Sequence, residues 1–169
     1  MAFADSATLA LAFALLVSAY GAVALVTSGV ASTPSLRLRA SGYRAAFAAA
    51  GLVTYCGLVL LGLLAGHDFG VAYVAEVTNR SMTLGQLLSA FWGGQPGSLL
   101  LWAWSLSLFA AAAVVVHRRR NPGLTPGVVG VLLAVECFFL LVLTLAANPF
   151  EKLAASVSTR RKKHSTASR

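Results

Sequence analysis

Charge is what this sequence has least of. Asp, Glu, Lys and Arg make up 11% of its 169 residues, where an average soluble domain carries roughly 25%. A soluble fold of this size cannot cover its surface with so few charges, and hydrophobic residues reach 58%. The composition excludes a soluble enzyme, a nucleic-acid binder and a disordered chain, and it indicates a membrane protein. Acids are the scarcest charged residues, five against thirteen Lys and Arg, for a net charge of +8. That excess is unevenly placed: Lys152, Arg160, Arg161, Lys162, Lys163 and Arg169 all follow the last acid, Glu151. The basic balance therefore describes a tail, and no nucleic-acid partner is expected.

Cysteine and histidine are nearly as scarce. The two cysteines, Cys56 and Cys137, fall in apolar runs and read as small packing residues. There is no CxxC or CxxCH, which excludes a thioredoxin-like site and covalent haem on this chain as motifs. His67 and His117 sit at the ends of apolar runs and His164 in the tail, with no pair at helical spacing. His67, next to Asp68, is the strongest of the three as a cofactor contact, although single histidines at membrane interfaces are more often solvated than ligands. No Gly-rich phosphate loop, HExxH or Ser/His/Asp arrangement is present, so no catalytic residue and no metal site is assigned.

Four long apolar runs are what the sequence does have, at about residues 7–30, 45–65, 99–116 and 127–147. Each is long enough for a helix, rising about 1.5 Å per residue, to cross a hydrocarbon core of about 30 Å. In lipid every backbone amide must be satisfied within the segment, so helices are the expected spanning form. The first run lacks a basic leader and is too long for a typical signal-peptide core, so it reads as a retained span. The fold class is thus an all-α integral membrane protein: a four-helix transmembrane region over 1–152, an outer segment at 66–98, and a basic disordered tail over 153–169.

Loop charge sets the orientation. Arg37, Arg39 and Arg44 lie in 31–44, and Arg118, Arg119 and Arg120 in 117–126, whereas 66–98 holds only Arg80 beside Asp68 and Glu76. The two arginine-bearing connections should be cytoplasmic, with the N-terminus and 66–98 outside. Four spans then return the chain to the outside, where the basic tail disagrees with the charge rule. Three readings meet that conflict: the last span does not insert, the tail is tolerated outside, or the chain ends prematurely and the tail is not native.

Glu136 lies near the middle of the fourth run. A carboxyl at that depth is costly and points to function by default. A protonated acid bonded to a neighbouring helix, with Thr54, Tyr55 and Ser105 as candidate partners, explains it as well.

The outer segment carries the most information. Residues 69–101 read FGVAYVAEVTNRSMTLGQLLSAFWGGQPGSLLL. Tyr73–Val77 reads as extended or as a brief helix, and Thr78–Ser81 as a turn, with Ser81 or Thr83 available as an N-cap. Leu84, Leu87, Leu88 and Phe91 follow helical spacing and predict an amphipathic helix on the membrane surface. Trp92 falls at its end, at headgroup depth. Gly93, Gly94 and Gly97 around Pro96 predict a sharp turn into the third span, using positive φ at the paired glycines.

The runs YVAEVTNRSM and FWGGQPGSLLLW, with NPFE at Asn148–Glu151, resemble the CcmF/NrfE family of c-type cytochrome biogenesis proteins over residues 1–152. Pro96 stands where that family typically has Glu. The resemblance implies the N-terminal membrane portion of a cytochrome c haem lyase in the cytoplasmic (inner) membrane. Such a portion would be a scaffold for delivering haem and attaching it to apocytochrome c outside the membrane. Trp92, Gly93, Gly94, Gln95, Gly97 and Ser98 would be the family motif on the outer face. The implied partners are apocytochrome c, the haem chaperone CcmE and other cytochrome c maturation membrane proteins. The implied cofactor is haem b in the full-length family, with none bound by this chain alone. The family's tryptophan-rich segment and ligand histidines match nothing here. The resemblance thus favours a truncated, split or frameshifted chain, with a missing C-terminal part as a separate chain among its partners. A different class remains open: a small four-span proton-coupled exporter using Glu136. A structural subunit without chemistry is the third reading.

Overall fold

A computed structural model describes residues 2–30, 35–79 and 82–152; the tail lies outside the described residues, as do Arg80 and Ser81. Six helices follow in order: α1 (Ala2–Val30), α2 (Leu36–Ala65), α3 (Ala72–Val77), α4 (Leu84–Gly93), α5 (Gln95–His117) and α6 (Thr125–Leu145). Helices α1, α2, α5 and α6 are each long and apolar enough to cross a membrane. The chain is an all-α, multi-pass membrane protein with four such helices among the described residues.

The four long helices close a ring in the order α1, α2, α5, α6, each packed on two neighbours, while α2 and α6 barely touch across it. Small residues make this closeness possible. Ala7, Leu11 and Ala14 line the buried stripe of α1, and Ala46, Ala49, Val53 and Cys56 that of α2. Phe3, Leu9, Phe13, Leu16 and Val23 point outward from α1. Lipid is as apolar as leucine, so burying large side chains gains little. Close backbone approach through small residues drives association instead. Gly42 shows the tolerance: a Cβ there would stand 2.6 Å from Leu25 Cγ. Cys56 follows the same rule, fully buried with its thiol directed at the carbonyl of Ala7, 3.5 Å away.

Two boundaries differ from the sequence reading. Helix α2 starts at Leu36, so most of the expected 31–44 loop is helix, and Arg37, Arg39 and Arg44 ride on its first turns. The reason is local: Ser35 is an N-cap, its Oγ accepting from Leu38 N–H at 3.4 Å. Helix α5 likewise starts at Gln95, so Pro96 opens that helix rather than breaking the preceding one. Its missing N–H is harmless in a first turn.

One end of the bundle carries an added layer formed by α3, α4 and the segment after α6. Residues 72–77, open between strand and helix in the sequence, are helical as α3. Thr83 caps α4, its N–H donating to Gln86 Oε1 at 2.8 Å. The NPFE segment folds back on α3: Ala72 N–H donates to Glu151 C=O at 2.8 Å, and Val71 forms an antiparallel bridge with Lys152. Asn148 Oδ1 accepts from Phe150 N–H at 3.0 Å, which turns the Phe150 ring into the core. Lys152 then reaches Asp5 on the first turn of α1 at 2.8 Å.

Candidate functional site

Tyr73 is the centre of that layer. Its ring is buried on α3, and its hydroxyl donates to the carbonyls of Ala90 at 2.9 Å and Phe91 at 3.2 Å. Those carbonyls belong to the last turn of α4, where helical partners run out. One phenol thus ties α3 to the end of α4. Burial pushes the phenol above its ordinary pKa, partly offset by the backbone N–H groups of Gly94 and Gly97. It therefore stays protonated at neutral pH and donates.

The glycines of the GGQPG run divide around this residue. A Cβ on Gly94 would stand 2.5 Å from Tyr73 Cε2 and 2.8 Å from its hydroxyl. A Cβ on Gly97 would overlap the Phe91 carbonyl oxygen and the Tyr73 hydroxyl. A Cβ on Gly93 would meet nothing within 4 Å. The expected positive-φ turn is absent: no described glycine has positive φ, and Gly94 is extended at φ −98° and ψ 155°. A single extended residue suffices because the helices meet end to end. What Gly94 and Gly97 supply is room for the Tyr73 ring and the α4 terminus.

The rest of the motif spreads outward from this joint. Phe91 packs inward with its ring edge-on to Trp104, centroids 6.5 Å apart. Trp104 donates to Thr54 Oγ1 at 3.0 Å. Trp92 is 62% exposed, and Gln95 is exposed beside it. Ser98 closes the first turn of α5, its N–H on Gly94 C=O and its Oγ on Gln95 C=O, both at 3.0 Å. Leu87 and Phe91 of the expected amphipathic stripe are buried against the bundle; the side chains of Leu84 and Leu88 lie outside the described residues.

Glu136 is remote from this joint. It is fully buried in α6, and its Oε1 accepts from Ser18 Oγ of α1 at 3.3 Å. Oε2 has no partner among the described residues. The partners expected from sequence are engaged elsewhere: Thr54 with Trp104, Tyr55 with Ser6 at 2.7 Å, and Ser105 with Leu101 C=O at 2.8 Å. Helix α1, adjacent to α6 in the ring, supplies the partner instead. His67 follows α2 at φ 49°, its Nδ1 3.2 Å from Ala65 C=O. His117 ends α5 at the opposite end of the bundle.

Sequence reasoning missed Tyr73 and Ser18 as working side chains. Tyr73 lay inside a quoted motif, and a lone tyrosine between small apolar residues ahead of a glycine-rich run is a usable signal. Ser18 carried none, because its role depends on the helix order around the ring.

No family model matches the chain. The probable cytochrome c-type biogenesis protein NrfE of Escherichia coli (strain K12) is 34% identical over 122 residues, 70% of this chain and 21% of that protein. The cytochrome c-type biogenesis protein CcmF of Pseudomonas fluorescens is 38% identical over 86 residues, 51% of this chain and 13% of that protein. Among solved structures, a cytochrome c heme lyase CcmF superposes with a TM-score of 0.80 at 27% identity, covering 89% of this chain and 25% of that one. The exporter reading finds no support among these matches. The chain spans about a fifth or less of the length of these two relatives, and over that membrane portion it is similar to the CcmF/NrfE family of cytochrome c-type biogenesis proteins.

Proposed function

We propose that this chain is the N-terminal membrane portion of a cytochrome c haem lyase, a scaffold that holds an outer surface where haem is attached to apocytochrome c. The superposition on a cytochrome c heme lyase over nearly the whole chain carries this reading. The four spans provide the anchor. The joint of Tyr73 with Gly94 and Gly97 fixes α3, α4 and the head of α5 as one surface, on which Trp92 and Gln95 stand exposed. In this reading the N-terminus, 66–98 and NPFE face outside the cytoplasmic (inner) membrane, and the arginine-bearing end faces the cytoplasm. The outer surface then works with apocytochrome c, with a haem chaperone of the CcmE kind and with other maturation membrane proteins.

The two described histidines do not form a pair that could hold one haem between them. His67 and His117 stand at opposite ends of the bundle, whereas axial imidazoles on one iron lie within about 4 Å of each other across it. The role proposed for this chain is positioning of backbone and surface.

The test is a chimera. A full-length relative carrying residues 1–152 of this chain in place of its own matched segment should mature cytochrome c, read by haem staining beside an immunoblot of the membrane fraction. A chimera that inserts at normal level and matures no cytochrome c overturns the reading.

A further inference from the structure

The acids of this chain are sorted by end. Asp5, Asp68, Glu76 and Glu151 all lie at the end that carries α3 and α4, and Glu136 lies within the bundle. The opposite end holds Arg37, Arg39, Arg44, Arg118, Arg119 and Arg120 and no acid between residues 6 and 67 or between 77 and 135. Arg39 is braced only by neutral groups: its guanidinium donates to Ser28 C=O and to Pro122 C=O, each at 3.2 Å. Arg118, Arg119 and Arg120 are exposed and reach no carboxylate among the described residues. The fold therefore leaves a concentrated positive charge that it does not neutralise itself.

Beside that charge lies a cleft of about 220 Å³ between the end of α5 and the start of α6, lined by Ala113, His117, Asn121, Leu124, Thr125 and Val128. Ala113 and Val128, on the two spanning helices, give it an apolar side. Its mouth, His117 and Asn121, is polar and flanks the three arginines. An apolar cleft between two spanning helices, with three exposed arginines in the turn that joins them, matches one chemistry, an acyl chain joined to a phosphate. Basic pockets between spanning helices bind anionic lipid head groups in this way.

We propose that the α5–α6 corner is a binding site for an anionic phospholipid, with its phosphate on Arg118–Arg120 and His117 and its acyl chain along Ala113 and Val128. The bound lipid would supply the counter-charge that the sequence omits and would fill the gap where the two helices diverge. The site lies at the far end from the joint at Tyr73 and does not depend on the haem lyase reading.

Native mass spectrometry of the full chain in detergent tests this, with phosphatidylglycerol and phosphatidylcholine of identical acyl chains as probes. Phosphatidylglycerol should be retained as a discrete adduct and phosphatidylcholine should not. Each arginine near an anionic surface is worth about fivefold in binding. Replacing Arg118, Arg119 and Arg120 together by Gln should therefore weaken retention roughly hundredfold. Val128→Trp fills the slot at an exposed position without changing charge and should also abolish the adduct. The basic residues of 160–169 are unchanged in both variants, so a loss reports on the corner. Equal retention of both lipids, full retention by the triple Gln variant, or full retention by Val128→Trp would each overturn the proposal. So would displacement of the lipid by inorganic phosphate alone at equivalent concentration, because the slot would then contribute nothing.

Discussion

Replacing Gly97 by alanine adds one methyl group, and the structure says where it lands. The new Cβ would overlap the carbonyl oxygen of Phe91 and the hydroxyl of Tyr73. The first obstacle is backbone at the end of α4, which cannot rotate away as a side chain can. Either α5 moves off α4 or the last turn of α4 opens, and both outcomes pull Ala90 and Phe91 away from the Tyr73 hydroxyl. Overpacking a tight contact costs about 1–3 kcal/mol, and exposing or orphaning buried carbonyls adds about 1–3 kcal/mol. A total near 3 kcal/mol is a change of more than a hundredfold in the population of the intact joint. Gly93→Ala is the matched control: nothing lies within 4 Å of its added methyl, and alanine is the better helix former by about 1 kcal/mol. Gly94→Ala should fall between, because it meets only the Tyr73 side chain, and it should couple to Tyr73. A Tyr73→Leu background removes the ring atoms that the Gly94 methyl strikes but leaves the Phe91 carbonyl in place for Gly97. The assay is the fraction of monodisperse chain surviving stepwise heating in detergent, read by size exclusion, with haem-stained cytochrome c in the chimera as second readout. The expected order of retention is Gly93→Ala, then Gly94→Ala, then Gly97→Ala. If Gly97→Ala is as stable and as active as Gly93→Ala, the joint does not hold the outer layer together.

A reporter active only outside the cytoplasm should function when fused near Gly85 and fail near Arg39 or Arg119; activity at Arg119 would reverse the orientation. The Tyr73 phenol is raised by burial, so its contribution to stability is fully present below the ordinary phenol pKa of about 10 and is lost as pH rises past its folded value. Wild type and Tyr73→Phe should therefore show parallel heat stability from neutral pH to about 9 and converge only in stronger alkali. Ser18→Ala removes the one described partner of Glu136 and should lower bundle stability by about 0.6–1.7 kcal/mol. Glu136→Leu should leave stability equal or higher in the same heating assay; a loss of cytochrome c maturation with stability intact would assign Glu136 a functional role. Asp5→Asn should change stability by less than about 1 kcal/mol, because the pair with Lys152 is exposed.

The spans were legible because lipid makes a one-dimensional demand, length and apolarity, that a sequence displays directly. The start of α2 was not, because Arg37, Arg39 and Arg44 look like loop until Ser35 is recognised as a cap. Ser35 reads as a cap only when the residues after it are already known to be helical. The glycines of GGQPG were recognisable as positions that bar a side chain, but positive φ is not the reason. A glycine pair suggests positive φ, whereas here the constraint is steric and comes from Tyr73, about twenty residues earlier. The partner of Glu136 was invisible for a related reason: it depends on which helix stands beside α6, and hydropathy does not encode the order of helices around a ring.

The outer layer carries that reasoning one step further. Its contacts join chain positions that are far apart: Asp5 with Lys152, Val71 with Lys152, Ala72 with Glu151, and Tyr73 with Ala90 and Phe91. Helices α3 and α4 are six and ten residues long, too short to be stable alone in water, so each depends on these fastenings. The exposed ion pair contributes little, and the bridge between Val71 and Lys152 is isolated. The buried contacts of Tyr73, Phe91 and Phe150 must therefore supply most of the cohesion. All three are aromatics within the runs that carry the resemblance: Tyr73 opens YVAEVTNRSM, Phe91 opens FWGGQPGSLLLW and Phe150 lies in NPFE. Those runs thus assemble a surface, whereas Ser18 and Glu136, buried together between α1 and α6, lie outside them. A role in presenting a surface accounts for that distribution, and a role in passing ions through the bundle does not.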